Sequence, residues 1–136
     1  MTATQTLPQA PTSLAAAEYP GAVQRGALVV DIRSRTQRER QGVLAGSIAL
    51  EARPAVEFLD PGSDVCLAAV NGAPEVLLVS DDGLDAELFS LELRGRGVRG
   101  VRAVDGGFDA VRRIGALGLL TEAHHLRRER SAISAH

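Results

Sequence analysis

Two runs of branched aliphatic residues stand out along the chain, Ala27-Leu28-Val29-Val30-Asp31-Ile32 and Val76-Leu77-Leu78-Val79. Each is short, apolar on consecutive positions and closed by polar residues, which predicts strands buried on both faces of a parallel sheet. Val98 to Val104 predicts a third strand and Ser47 to Leu50 a short one. Helical patterns lie between them. Thr36 to Gln41 is helix-favouring and Gly42 stands where a left-handed C-terminal residue is wanted. Around Arg53 to Leu59 a brief helix is expected, with Pro54 in its first turn and Val56 and Leu59 three apart on one face. From Leu84 to Arg94, Leu84, Leu88 and Leu91 repeat at four and three residues and predict an amphipathic helix. A last helix is expected around Phe108 to Ile114, after the turn Gly106-Gly107. Ser13 to Arg25 has helix-like spacing with Ser13 as a cap, but Pro20-Gly21 interrupts it and predicts a short or broken helix.

Residues 1–11 are small, polar and punctuated by proline, and are expected to be disordered. Residues 12–118 form the expected single domain, and 119–136 a polar tail. Apolar strands alternating with helices of about ten residues predict an α/β domain: an open, mostly parallel sheet with helices on both faces. Ligands of such sheets sit beyond the carboxyl ends of the strands. That places the default site at Ser80 to Asp85, between the strand at 76–79 and the following helix, whose first amides are unpaired.

Composition narrows the partners. At 136 residues there is material for one core, and 45 % hydrophobic residues suffice to build it. Aromatics are only 3 % and tryptophan is absent, so base stacking on ring platforms is disfavoured. A net charge of −2 supplies no positive field for phosphate, so no nucleic-acid partner is expected. Every basic residue is arginine, which reads as a genomic bias. The lone Cys66 cannot form an internal disulfide, and no leader or run of about 20 apolar residues occurs, so a cytoplasmic chain without membrane association is expected.

Four patches in order resemble the rhodanese-like, sulfurtransferase-related family. Val30-Asp31-Ile32-Arg33 is similar to its D-[VI]-R, and Gly42-Val43-Leu44-Ala45-Gly46-Ser47 is in register with its G-H-I-P-G-A. Val79 to Asp85 occupies the place of its active loop, C-x-x-G-x-[RST], and Val104-Asp105-Gly106-Gly107-Phe108 matches its V-x-G-G-[FW]. Together they span residues 27–115. The resemblance implies the family's open, mostly parallel α/β fold, with Asp31, Arg33, Gly106 and Gly107 as supporting residues. It also implies a departure at the chemistry. In active relatives a cysteine thiolate carries sulfane sulfur as a persulfide. Here that position is Ser80, whose hydroxyl cannot hold it. The family's histidine is Val43 and its later aromatic is Val111.

The resemblance therefore implies a catalytically inactive domain, with no catalytic residue assigned in the degenerate loop Ser80, Asp81, Asp82, Gly83, Leu84 and Asp85. That loop is expected to bind an unidentified protein or small cationic ligand. Asp81, Asp82 and Asp85 would repel thiosulfate: at an effective dielectric of about 20, two charges some 4 Å apart interact by roughly 4 kcal/mol, against about 1 kcal/mol from a helix N-terminus. Asp31 and Arg33 are read as a buried or half-buried pair pinning loops above the sheet. Other chemistries fit less well. A serine nucleophile would want Gly-x-Ser-x-Gly, and a cysteine phosphatase would want cysteine at 80 and arginine at 86, where Ser80 and Ala86 stand. The acidic residues could collect a divalent cation, but a solvated acidic helix start is the simpler reading, and no cofactor or metal is expected. Cys66 lies in an apolar segment without a basic neighbour and reads as a small core residue. A sulfur carrier that recruits Cys66, and an interaction domain with no dedicated site, remain as alternatives. His124 and His125 with Arg127, Arg128 and Arg130 read as a solvated, frayed tail.

Overall fold

The computed structural model describes residues 13–117. The N-terminal segment 1–11 and the tail 119–136, with its histidines and arginines, lie outside the described residues. Five strands form one sheet in the order β1-β5-β4-β2-β3, with every neighbouring pair parallel. They are β1 (Ser13–Leu14), β2 (Leu28–Asp31), β3 (Ile48–Ala49), β4 (Val76–Val79) and β5 (Val101–Val104). The central β4 is buried along its whole length, as its unbroken apolar run requires.

Among the described residues there are six α-helices, five between strands and one after β5: α1 (Tyr19–Gln24), α2 (Arg35–Gln41), α3 (Ala52–Leu59), α4 (Ala68–Gly72), α5 (Leu84–Gly95) and α6 (Gly107–Arg113). Strand alternation divides the core in two. Val29, Leu77, Val79 and Val104 pack with Tyr19, Val23, Phe108 and Val111 of α1 and α6. Val30, Leu78, Val101 and Ala103 pack on the opposite face with Val56, Leu59, Ala86 and Leu93 of α3 and α5.

Three expectations are corrected. Ser13 does not cap a helix: Ser13 and Leu14 are an edge strand paired with Ala103 and Val104, and a short 3₁₀ turn at Ala16–Glu18 leads into α1. Pro20 and Gly21 lie inside α1, because proline in a first turn gives up an amide that has no intrahelical acceptor. The third strand starts at Val101, since residues 98–100 form the turn whose Gly100 carbonyl accepts the Val76 amide.

A further correction concerns α5. Leu84, Leu88 and Leu91 do not face the core; they are 64 %, 65 % and 50 % exposed. The buried side is Ala86, Ser90 and Leu93, which repeats at the same four-and-three spacing. Two apolar stripes thus compete on one helix. The smaller one lies against the sheet because close packing of a helix on β4 and β5 favours Ala86 and Ser90 at the contact.

Candidate functional site at the carboxyl edge of the sheet

The β2 end carries an ion pair removed from solvent: Asp31 is 0 % and Arg33 1 % exposed. The Arg33 guanidinium donates through Nε to both Asp31 carboxylate oxygens, at 3.0 and 3.2 Å, and through Nη2 to Oδ2 at 2.8 Å. The Arg33 amide adds a bond to Oδ1 at 3.0 Å. Its remaining donors reach Gln41 Oε1 at 3.2 Å and the Gly42 carbonyl at 2.9 Å, and Cζ lies 3.7 Å from the Phe108 ring centroid. Each charged group is therefore satisfied, the condition under which a buried pair is tolerated. The expected pair is present, fully buried, and it ties β2 to α2 and α6.

Gln41 extends that network to the surface. Its side-chain amide donates to Asp81 Oδ1 at 2.5 Å, linking the interior guanidinium to the loop after β4. The capping box of Ser34 and Gln37 sets the start of α2, so Gln41 arrives about two turns later at the loop.

The loop itself is drawn inward at Ser80, which is 3 % exposed. Ser80 Oγ accepts hydrogen bonds from the amides of Gly83, at 3.0 Å, and Ala86, at 3.2 Å. The hydroxyl thus serves the start of α5 as a cap would. Asp82 Oδ1 accepts from the Leu84 amide at 3.0 Å. Three amides at this helix start are in this way already bonded to side chains of the loop.

Gly106 and Gly107 hold this loop by close approach. The Ser80 carbonyl accepts from Phe108 N at 2.8 Å, and the Asp81 carbonyl from Asp109 N at 3.3 Å. A Cβ on Gly107 would fall 2.1 Å from the Ser80 carbonyl oxygen, and its φ of +58° is also unfavourable to other residues. A Cβ on Gly83 would stand 2.9 Å from Gly106 N.

Above the loop is a cleft of about 240 Å³ lined by Gln41, Asp81, Asp82, Phe108, Asp109 and Arg112. Of its four charged residues three are acidic, and Arg112 is engaged by Asp109. Three of the four charges that line the cleft are therefore negative, and Arg113 also bridges Asp109. Asp81 and Asp82 line it, whereas Asp85 and Leu84 are exposed on the first turn of α5 outside it, and Ser80 lies beneath. Sequence reasoning missed Gln41, Asp109 and Arg112; only the contact of α2 and α6 over the loop brings them there. Among the described residues no group of three or more histidine, cysteine or carboxylate side chains is placed to hold a metal ion.

Cys66 is half-buried between α3 and α4, its thiol 3.6 Å from the Leu67 carbonyl. Pro61 before it and Val70, Asn71 and Ala73 to Val76 after it in the chain gather with Gly97 to Gly100 at the amino edge of the sheet. Loop 80–85 lies at the carboxyl edge, roughly 13 Å away along a four-residue strand. Tyr19 is the other buried oddity. Its hydroxyl has no hydrogen-bond partner, and burial, then the negative charge of Asp31, pushes its pKa well above the ordinary tyrosine value.

The five-stranded parallel sheet, the helices on both faces and the cradle after the central strand define a rhodanese-like fold. A protein of unknown function from Rhodopseudomonas palustris, described as a possible tyrosine phosphatase, superposes with a TM-score of 0.69 at 23 % identity, over 77 % of this chain and 82 % of its own. The rhodanese-like domain of an Anabaena protein gives 0.61 at 16 % identity, over 78 % and 76 %. The human single-domain sulfurtransferase gives 0.56 at 18 % identity, over 74 % and 95 %. No family model and no curated protein matches the chain. None of the described helices is long and apolar enough to cross a membrane.

Proposed function

We propose that this chain is a rhodanese-like domain without sulfurtransferase activity that acts as a binding or regulatory module through loop 80–85. The observation that carries the reading is the state of Ser80. At the position that resembles the family's nucleophilic cysteine stands a buried hydroxyl that accepts from two loop amides. A persulfide needs a polarisable thiolate, and the alcohol cannot form one. The adjoining carboxylates of Asp81, Asp82 and Asp109 oppose an anionic sulfur donor and favour a cationic group in the cleft. Phosphoryl transfer, suggested by the description of one neighbour, lacks both thiolate and arginine here, since residue 86 is a buried alanine. Cys66 lies between α3 and α4 and is not among the residues that line the cleft above the loop, which counts against its recruitment as a sulfur carrier.

The test has two arms. Purified protein is expected to show no thiosulfate-to-cyanide transfer, and Ser80→Cys is expected to restore little while the loop acids remain. Robust transfer by the unmodified chain that survives Cys66→Ala would overturn the proposal. For binding, a cationic peptide or arginine-derived probe should perturb backbone resonances of residues 80–85. Asp81→Asn with Asp82→Asn should weaken that binding about tenfold or more. An equal response from the double variant would refute the cleft as the site.

A further inference from the structure

The short helix α4 ends on Asn71-Gly72, and Asn71 is the single asparagine of the chain. Asparagine is among the thermally labile residues, and a following glycine lacks the side chain that would otherwise shield the next backbone nitrogen. Both residues are exposed. A Cβ placed on Gly72 would meet nothing within 4 Å, so the pair has room to close a ring between side chain and backbone.

Ring closure requires the Asn71 backbone to leave its helical conformation, and α4 resists that weakly. None of its residues is fully buried and no side chain caps it. Its two ends are closed by tight three-residue bonds, Val70 N to the Leu67 carbonyl at 3.1 Å and Ala73 N to the Val70 carbonyl at 3.4 Å. A single helical turn with so few buried contacts opens at little free-energy cost. The chain's two aspartate-glycine pairs, which can close the same ring, are held instead. Gly83 N donates to Ser80 Oγ, and Asp82 Oδ1 accepts from the Leu84 amide. Asp105 N donates to the Leu14 carbonyl, and a Cβ on Gly106 would fall 2.6 Å from that of Ala110.

We propose that Asn71 is a deamidation site at which the folded chain converts itself to isoaspartate. Gly72 N gives its proton to base and attacks Asn71 Cγ; the new C–N bond replaces Cγ–Nδ2, and ammonia leaves with a proton from solvent. Water then opens the cyclic imide, at Cγ to give aspartate or at the more electrophilic main-chain carbonyl carbon to give isoaspartate. Nothing is oxidised or reduced. Either product adds one negative charge to the chain's −2, in a pocket of about 290 Å³ that residue 71 shares with Glu75 and Arg99. Isoaspartate also lengthens the main chain by one carbon. That change falls ahead of Glu75, whose carbonyl accepts from Leu28 N at 2.9 Å, and ahead of the buried β4, so the sheet keeps its pairing. The site is separate from the cleft, and the proposal does not rest on the function assigned to loop 80–85.

The test ages the full-length chain at mildly alkaline pH, well below its melting temperature, and reads the digest by mass spectrometry. Isoaspartate is detected separately, by labelled methyl transfer from S-adenosylmethionine through an isoaspartate carboxyl methyltransferase. The peptide holding residue 71 should gain the mass difference between OH and NH2, at a rate that rises with hydroxide. Asn71→Gln should lose both signals with an unchanged melting temperature, because residue 71 is exposed. The same chain aged in urea sets the rate of each site without the fold. The ratio of folded to unfolded rate should be at least about tenfold higher for Asn71 than for Asp82 and Asp105, whose segments open less readily. A smaller difference would overturn the proposal, and so would methyl labelling of the folded chain that persists in Asn71→Gln.

Discussion

Replacing Arg33 by methionine tests the interior of the site most directly. The substitution keeps much of the side-chain volume but deletes five hydrogen bonds: three to Asp31, one to Gln41 and one to the Gly42 carbonyl. Asp31 would then be a carboxylate with no exposed surface and only the residue-33 amide as donor. Breaking a buried pair in this way costs about 3–5 kcal/mol, because the partner's charge stays desolvated. For about 100 ordered residues that is a fall in melting temperature of roughly 12–25 °C. The companion chain carrying Asp31→Leu with Arg33→Met removes both charges. It should recover at least about 2 kcal/mol relative to Arg33→Met, since the remaining loss is confined to one amide, one carbonyl and the packing on Phe108. Urea denaturation read by circular dichroism measures each term. A loss under about 1 kcal/mol for Arg33→Met, or a double variant no more stable than the single, would refute the account of the pair as a buried charge kept by its partners.

Three further outcomes follow from the same geometry. Ser80→Ala removes the acceptor of the Gly83 and Ala86 amides and should cost about 1–2 kcal/mol in denaturant unfolding, with Ser80→Thr less harmful than alanine. Gly107→Ala should cost about 2–4 kcal/mol, combining the left-handed backbone with the clash on the Ser80 carbonyl, and should shift the amide resonances of 80–83; an alanine variant as stable as the wild type would be inconsistent with the close approach. Tyr19 is the chain's single tyrosine and tryptophan is absent, so its phenolate band can be followed alone. Its pKa is raised in the folded state, so its contribution is intact below about pH 10 and is lost as pH rises past the unfolded value. Stability should therefore decline above pH 10, ionisation should coincide with unfolding, and Tyr19→Phe should flatten that decline while being neutral or slightly stabilising at pH 7, because the hydroxyl it removes is unpartnered.

The order and type of the main elements were legible along the chain because buried parallel strands need consecutive apolar residues and helices need their own period. The runs at 28–31 and 76–79, the glycines that close turns and the Asp31–Arg33 spacing all carry that information locally. The loop after β4 was legible for the same reason, as a polar break between a buried strand and a helix. The edge strand at Ser13–Leu14 was not, because two residues carry no period and their strand state comes from pairing with Ala103 and Val104. Periodicity also could not choose between the two stripes of α5: both Leu84-Leu88-Leu91 and Ala86-Ser90-Leu93 satisfy it, and the distance of closest packing on β4 and β5 decides. Likewise Gln41, Asp81, Asp109 and Arg112 belong to three separate segments, and their common cleft exists only because α2 and α6 converge over the loop. Local pattern determines what each segment can bury; which residues then meet depends on contacts between segments far apart in the chain, and those are set by the fold as a whole.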